Sequence, residues 1–151
     1  IASDLVNRQG VGPGQIAVIL RNLNTVSGYK EAVIADLKAA NLSVDVFSKS
    51  DSLDLRGDAV HIITAHSAKG LEFPFVIVPY VSDHMYPFMG ARPDTKDQNE
   101  IDEWAAKDQR LLYVALSRAA YRLWMISDSS DPSRFLDVLQ SSDWCVEGND
   151  V

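Results

Sequence analysis

The chain is short of cysteine: Cys145 is the one such residue among 151. A lone thiol excludes an internal disulfide framework and a cysteine-built metal cage. It also predicts a reducing, cytoplasmic setting. Long hydrophobic runs are missing as well. The longest, Phe73 to Val81, falls well short of the ~18–20 apolar residues that span a bilayer, so no membrane partner is expected. The opening Ile-Ala-Ser-Asp has neither the basic start nor the apolar centre of a signal peptide. It lacks an initiating Met too, which leads us to expect a piece of something longer. Positive charge is in deficit, with 14 Lys and Arg against 21 Asp and Glu and a formal net charge of −7. Because phosphate neutralisation dominates nucleic-acid binding, a broad basic face is excluded. The deficit is uneven, however. Residues 1–80 hold seven basic and eight acidic residues, and residues 81–151 hold seven and thirteen. A nucleic-acid site in the near-neutral half stays open.

What is present is an ordinary globular composition, 46% hydrophobic and 23% charged, in a chain the size of one domain. Ile16 to Leu20, introduced by Gly12-Pro13-Gly14, reads as a buried strand. Val26, Tyr29, Val33, Leu37 and Ala40 share one helical face, with Asn41 as the stop. Further strands are expected at Val44–Phe47, Val60–Thr64, Phe75–Val78 and Leu123–Ile126, with a polar linker over 48–59. Tyr80 to Gln98 loses all periodicity and reads as a long surface loop, a feature uncommon unless functional. Asn99 is placed to cap a helix carrying Ile101, Trp104, Leu111, Leu112 and Ala115. Pro132 is placed to open a short helix to about Gln140. Strands alternating with helices predict an α/β fold with a doubly wound, mostly parallel sheet over residues 1–140, and a loose tail over 141–151.

Three segments carry candidate chemistry. Thr64-Ala-His66-Ser-Ala-Lys69-Gly70-Leu-Glu72-Phe-Pro74 follows a strand directly, and ligands of open α/β sheets bind beyond the carboxyl ends of strands. Lys69-Gly70 offers a cation and backbone N–H groups to an anion, and Glu72 can accept from sugar hydroxyls. The same stretch also reads as a polar turn with a surface lysine. His66 and His61 lack a third metal ligand nearby, so no metal site is expected. In the second segment, Gln109 to Ala120, Arg118 falls seven residues after Leu111 at the edge of the buried stripe. There it must meet an anion, or stand solvated at a helix C-terminus. Arg21 ends the first strand and forms the third candidate.

Taken in order, Ala17-Val-Ile-Leu-Arg21, Thr64 to Pro74 and Leu112-Tyr-Val-Ala-Leu-Ser-Arg-Ala119 resemble motifs IV, V and VI of superfamily 1 helicases of the UvrD/Rep/PcrA type. The likeness covers roughly residues 15–127 and is strongest in motif V. It implies the C-terminal RecA-like motor domain, called 2A, which closes over ATP held by an N-terminal RecA-like domain. Carried over by position, Arg21 and Arg118 match the arginines that reach the γ-phosphate. Glu72 matches the acid near the ribose. Lys69 and Gly70 belong to the loop between the nucleotide and the strand. Thr64 and His66 match positions beside single-stranded DNA. Such a role suits arginine, because phosphoryl transfer is mainly positioning plus charge stabilisation.

The chain departs from that pattern in three places. It contains no G-x-x-x-x-G-K-[ST] and no Walker B acid pair, so Mg²⁺ and P-loop ligands must come from the N-terminal motor domain. Only twelve residues separate Phe47 from Val60, which leaves no room for the helical 2B domain of longer relatives. Shorter RecB-like and HelD-like forms are the closer comparison. Leu20 stands where relatives often place an aromatic ring on the base; it reads equally as core. The resemblance thus implies an ATP-dependent DNA helicase or translocase, inactive as this piece alone. The alternatives are a HelD-like remodeller of RNA polymerase and a non-catalytic module that keeps the fold; RNA polymerase or a repair or recombination protein is the partner the resemblance leaves open.

Overall fold

The computed structural model describes residues 1–22, 28–47 and 53–137. Eight regular elements run in the order α1 (Ala2–Asn7), β1 (Ile16–Leu20), α2 (Tyr29–Ala39), β2 (Ser43–Val46), β3 (Ala59–Thr64), β4 (Phe73–Val78), α3 (Gln98–Leu116) and β5 (Ala119–Met125). The strands form one sheet in the order β2-β3-β1-β4-β5, and every pairing is parallel. Parallel strands covered on both faces should be apolar throughout, and all five residues of β1 are buried. Ala17 and Ile19 face one core layer, where Leu112 and Ala115 of α3 pack with Ile63, Phe73 and Val76. Ile16, Val18 and Leu20 face the other, closed by Ala2 and Leu5 of α1 and Leu37 of α2. Helices on both faces of a parallel sheet make the doubly wound α/β architecture that the alternation of elements predicts.

The boundaries move for local reasons. In α2 the apolar face holds from Tyr29 on, and Asn41 adopts a positive φ of 58° just past the helix end, as a stop residue should. Val26, residues 48–52 of the linker, the end of the helix expected at Gln140 and the 141–151 tail lie outside the described residues. The N-cap of α3 is Asp97, not Asn99: the Asp97 side chain accepts the Asn99 backbone N–H at 2.9 Å. The expected surface loop is internal in its first half and exposed in its second. Val81, Met85 and Tyr86 are buried in the core layer on the α3 side, and Ser82 bridges Pro132. Apolar residues in an aperiodic stretch give no signal of which side they face. Among the described residues Pro132 opens no α-helix; Ser133 instead caps a single 3-10 turn at Arg134–Leu136. The edge strand β5 begins earlier than its apolar run, because Tyr121 and Arg122 are exposed and leave no hydrophobic trace.

Candidate functional site

The site is built where β1 and β3 end side by side. The backbone N–H of Ala65 donates to the Leu20 carbonyl at 2.8 Å, so Arg21 and the Thr64–Pro74 turn emerge together at the carboxyl edge of the sheet. Thr64 organises that turn. Its hydroxyl accepts the Ser67 N–H at 3.0 Å and donates to the Ser67 hydroxyl at 3.0 Å. Its carbonyl accepts the Ala68 N–H at 2.9 Å. Buried Ala65 and Ala68 anchor the turn, leaving His66, Lys69, Gly70 and Glu72 exposed on its outer side. Gly70 has φ +86°, a left-handed conformation that strains any residue with a Cβ. Tied into the turn in this way, the Thr64 hydroxyl has its main bonds inside the protein.

Arg118 closes the same turn from the other side. Its guanidinium donates from Nε to the Val114 carbonyl at 3.0 Å, from Nη1 to the Leu71 carbonyl at 3.1 Å and from Nη2 to the Ser117 hydroxyl at 2.9 Å. Its own carbonyl accepts the Phe73 N–H at 2.9 Å. Of the two readings of Arg118, these bonds fit the one at a helix C-terminus, since neutral oxygens satisfy its packing. Its charge is offset by no carboxylate within ion-pair distance among the described residues. A fixed but uncompensated guanidinium is suited to an incoming anion.

Arg21 is arranged in the opposite way. Its Nη2 donates to both oxygens of Asp108, at 2.8 and 3.1 Å, and its guanidinium lies 4.6 Å from the centre of the Phe88 ring. The Phe88 backbone N–H donates to the same carboxylate. Arg21 Nε and the Tyr86 hydroxyl are buried without a hydrogen-bond partner. Burial pushes the Tyr86 hydroxyl well above its ordinary pKa, opposed by Arg21 and reinforced by Asp108, so it stays neutral. Arg21, His66, Lys107, Asp108, Arg110, Leu111 and Val114 line a pocket of about 300 Å³.

Two residues that the resemblance ties to different ligands, Arg21 to ATP and His66 to DNA, thus share one pocket. Arg118, Lys69, Gly70 and Glu72 belong to the turn beside it. Leu20 is 3% exposed and packs in the α1/α2 core layer, so of its two readings the structure selects the core. His61 is buried and bonded through Nδ1 to Asp45 and through Nε2 to the Asp54 carbonyl, each at 3.2 Å. Among the described residues no group of three His, Cys, Asp or Glu side chains is placed to hold a metal ion, and no helix is long and apolar enough to cross a membrane. Asp108, Lys107, Arg110 and Phe88 went unnoticed in the sequence. Asp108 did leave a trace: it lies four residues after Trp104 and four before Leu112, a carboxylate in the middle of an apolar stripe.

With this geometry in place, relatives can be compared. The sequence profile of the UvrD-like helicase C-terminal domain matches residues 16–130. The ATP-dependent DNA helicase Rep of Buchnera aphidicola subsp. Baizongia pistaciae is 31% identical over 106 residues, which is 64% of this chain and 15% of that protein. The ATP-dependent DNA helicase PcrA of Staphylococcus epidermidis is 35% identical over 89 residues, 52% of this chain and 12% of that protein. The C-terminal domain of a possible DNA helicase from Lactobacillus plantarum WCFS1 has the same fold, with a TM-score of 0.61 at 24% identity over 93% of this chain and 70% of that one. The chain therefore spans about an eighth to a seventh of the length of these two full-length relatives. The profile match over residues 16–130, most of the chain, makes this protein a member of the UvrD-like helicase C-terminal domain family.

Proposed function

We propose that the chain is the second RecA-like motor domain of an ATP-dependent DNA helicase or translocase, and that its pocket takes a phosphate of single-stranded DNA. The observation that carries the reading is the pocket itself: Lys107, Arg110 and His66 line it beside Arg21, which is paired with the buried Asp108. The excess of positive charge is local, in a protein whose net charge is −7, and local charge is what phosphate contacts need. The resemblance implied a γ-phosphate contact for Arg21. It shares a pocket wall with His66, a position the resemblance ties to the strand, so nucleotide and strand would border one another at this edge of the sheet.

The nucleotide side falls to the turn. Arg118 keeps its charge uncompensated at the Leu71 carbonyl, and the next residue, Glu72, is exposed. This donor and acceptor pair fits a triphosphate and a ribose. Mg²⁺ finds no ligand set among the described residues, so its ligands and the P-loop would come from an N-terminal RecA-like domain of the same protein. Bound ATP would supply the phosphoryl group whose transfer drives the motor. This chain's part is to orient: Arg118 offsets phosphate charge, Glu72 accepts from sugar hydroxyls, and Lys69 with the Gly70 backbone borders the anion. Thr64 holds the turn in shape.

A second reading, a motor acting on an RNA polymerase complex as HelD-like proteins do, draws on the thirteen acidic residues of the 81–151 segment. Fluorescence anisotropy of a labelled oligothymidylate tests the first. The chain should bind weakly and with steep salt dependence. Arg110→Ala and Lys107→Ala should each lower the slope of log K against log salt by about one. The chain alone should hydrolyse no ATP. Unchanged slopes in both variants, or metal-dependent ATPase from this chain by itself, would overturn the proposal.

A further inference from the structure

Phe88 lies in the connection from β4 to α3, and three contacts brace the stretch that leads to it. Ser82 bridges Pro132, the Ser133 hydroxyl donates to the Tyr86 carbonyl, and Arg134 pairs with Asp83. On that braced backbone Phe88 touches both members of one ion pair. Its N–H donates to the Asp108 carboxylate, and its ring centre lies 4.6 Å from Cζ of Arg21. The ring also has a fixed seat. A Cβ placed on Gly90 would stand 2.6 Å from the ring's Cζ and 2.8 Å from its Cε1. Carbon atoms in good contact are about 3.5–4.0 Å apart, so any side chain at position 90 would displace the ring.

This arrangement decides which part of Arg21 is presented. Nη2 is taken by both oxygens of Asp108, and Nε is buried. Nη1 has no acceptor among the described residues and is not buried, and 13% of the side chain stays exposed on the pocket wall. A guanidinium rests well on an aromatic face. A long side chain already held in one pose loses little further freedom when it meets a ligand, and charge fixed in advance needs no reorganisation at the moment of reaction. We propose that Phe88 is a positioning residue for the nucleotide: its ring, seated against Gly90, holds the Arg21 guanidinium so that Nη1 meets an ATP phosphate while Nη2 stays with Asp108. The inference rests on the reading of Arg21 as the nucleotide side of this edge of the sheet.

The test is steady-state ATPase of the intact motor, with thermal melting of each variant to establish that it is folded. Phe88→Leu keeps apolar bulk and removes the ring; it is expected to lower kcat about three- to tenfold and to leave KM for ATP within about twofold. Phe88→Tyr keeps the ring and should stay within about twofold of the parent in kcat. Gly90→Ala should push the ring away and match Phe88→Leu, and it provides the comparison if the Leu variant is unfolded. Neither change should lower kcat further once Arg21 is already alanine. A merely structural ring would lower the melting temperature and leave kcat and KM alone. Parent-like kcat in folded Phe88→Leu or Gly90→Ala, a Phe88→Tyr as slow as Phe88→Leu, or a loss that persists in full on top of Arg21→Ala would overturn the positioning role. If Arg21→Ala itself turns over ATP normally, the nucleotide reading of Arg21 fails and the positioning role with it. If Arg21→Ala is slow and Phe88→Leu is not, the positioning role alone fails.

Discussion

Replacing Arg118 with alanine should produce two separable losses. The first is stability. The guanidinium donates to the carbonyls of Val114 and Leu71 and to the Ser117 hydroxyl. Hydrogen bonds from a charged donor contribute about 1.5–3 kcal/mol when buried. Arg118 is partly exposed and water replaces some of its bonds, so a net loss of about 2 kcal/mol is the reasonable total. For a domain of this size that lowers Tm by about 4–8 °C. The Leu71 bond is the long-range one, and losing it frees the end of the turn from α3. The second loss is turnover in the intact motor: kcat should fall far more than ATP affinity, because charge on the transferring phosphoryl group is where an arginine contributes about 10³–10⁵ in related NTPases. Lysine cannot reproduce the fork that serves three acceptors at once, so Arg118→Lys should recover neither property fully. Circular dichroism melting of the chain reads the first loss, and steady-state ATPase of the full motor reads the second. A variant that melts within about 1 °C of the parent would refute the bracing bonds. One that melts low but turns over ATP normally would refute the assignment to the nucleotide.

Three other outcomes follow from single contacts. Leu20→Tyr should destabilise the chain by about 1–3 kcal/mol, since it forces a larger ring into a closed core layer; a melting temperature at or above that of the parent, with tighter ATP binding, would return Leu20 to the base. Gly70→Ala should cost about 1–2 kcal/mol although open space surrounds the position, because its φ of +86° disfavours a Cβ; an unchanged chemical denaturation midpoint would contradict that. Hydrogen bonding from Arg134 holds the Asp83 carboxyl below its ordinary pKa. Because the folded value is the lower one, the stabilisation is present above the usual carboxylate pKa and is lost as pH falls through the folded value. Asp83→Asn should therefore be slightly less stable than the parent at neutral pH and equal to it in strong acid. A gap that persists or widens on acidification would argue against the pair.

The sequence by itself determined the architecture of this protein and the edge of the sheet on which its candidate site stands. Ile16–Leu20 and Phe75–Val78 are apolar on both faces and Val60–Thr64 nearly so, and such runs suit a parallel sheet covered on both sides. Motifs at the ends of those strands then have to stand together at the carboxyl edge. The period of α3 was equally legible, because burial of one helical face repeats along the chain. What the tertiary structure alone decided is what the charges do. Asp108 lies 87 residues from Arg21, and no local spacing announces that pair. It also turned Tyr80–Gln98 from an expected surface loop into a source of core residues and of Phe88, since an aperiodic segment carries no record of which side it buries. Leu20, one residue from Arg21, went to the core by the alternation of its strand, while Arg118 took its acceptors from the end of α3 and from Leu71, 47 residues away. Local pattern determines which elements form; whether a side chain meets a carboxylate, a carbonyl or an open pocket depends on segments brought together from far apart in the chain.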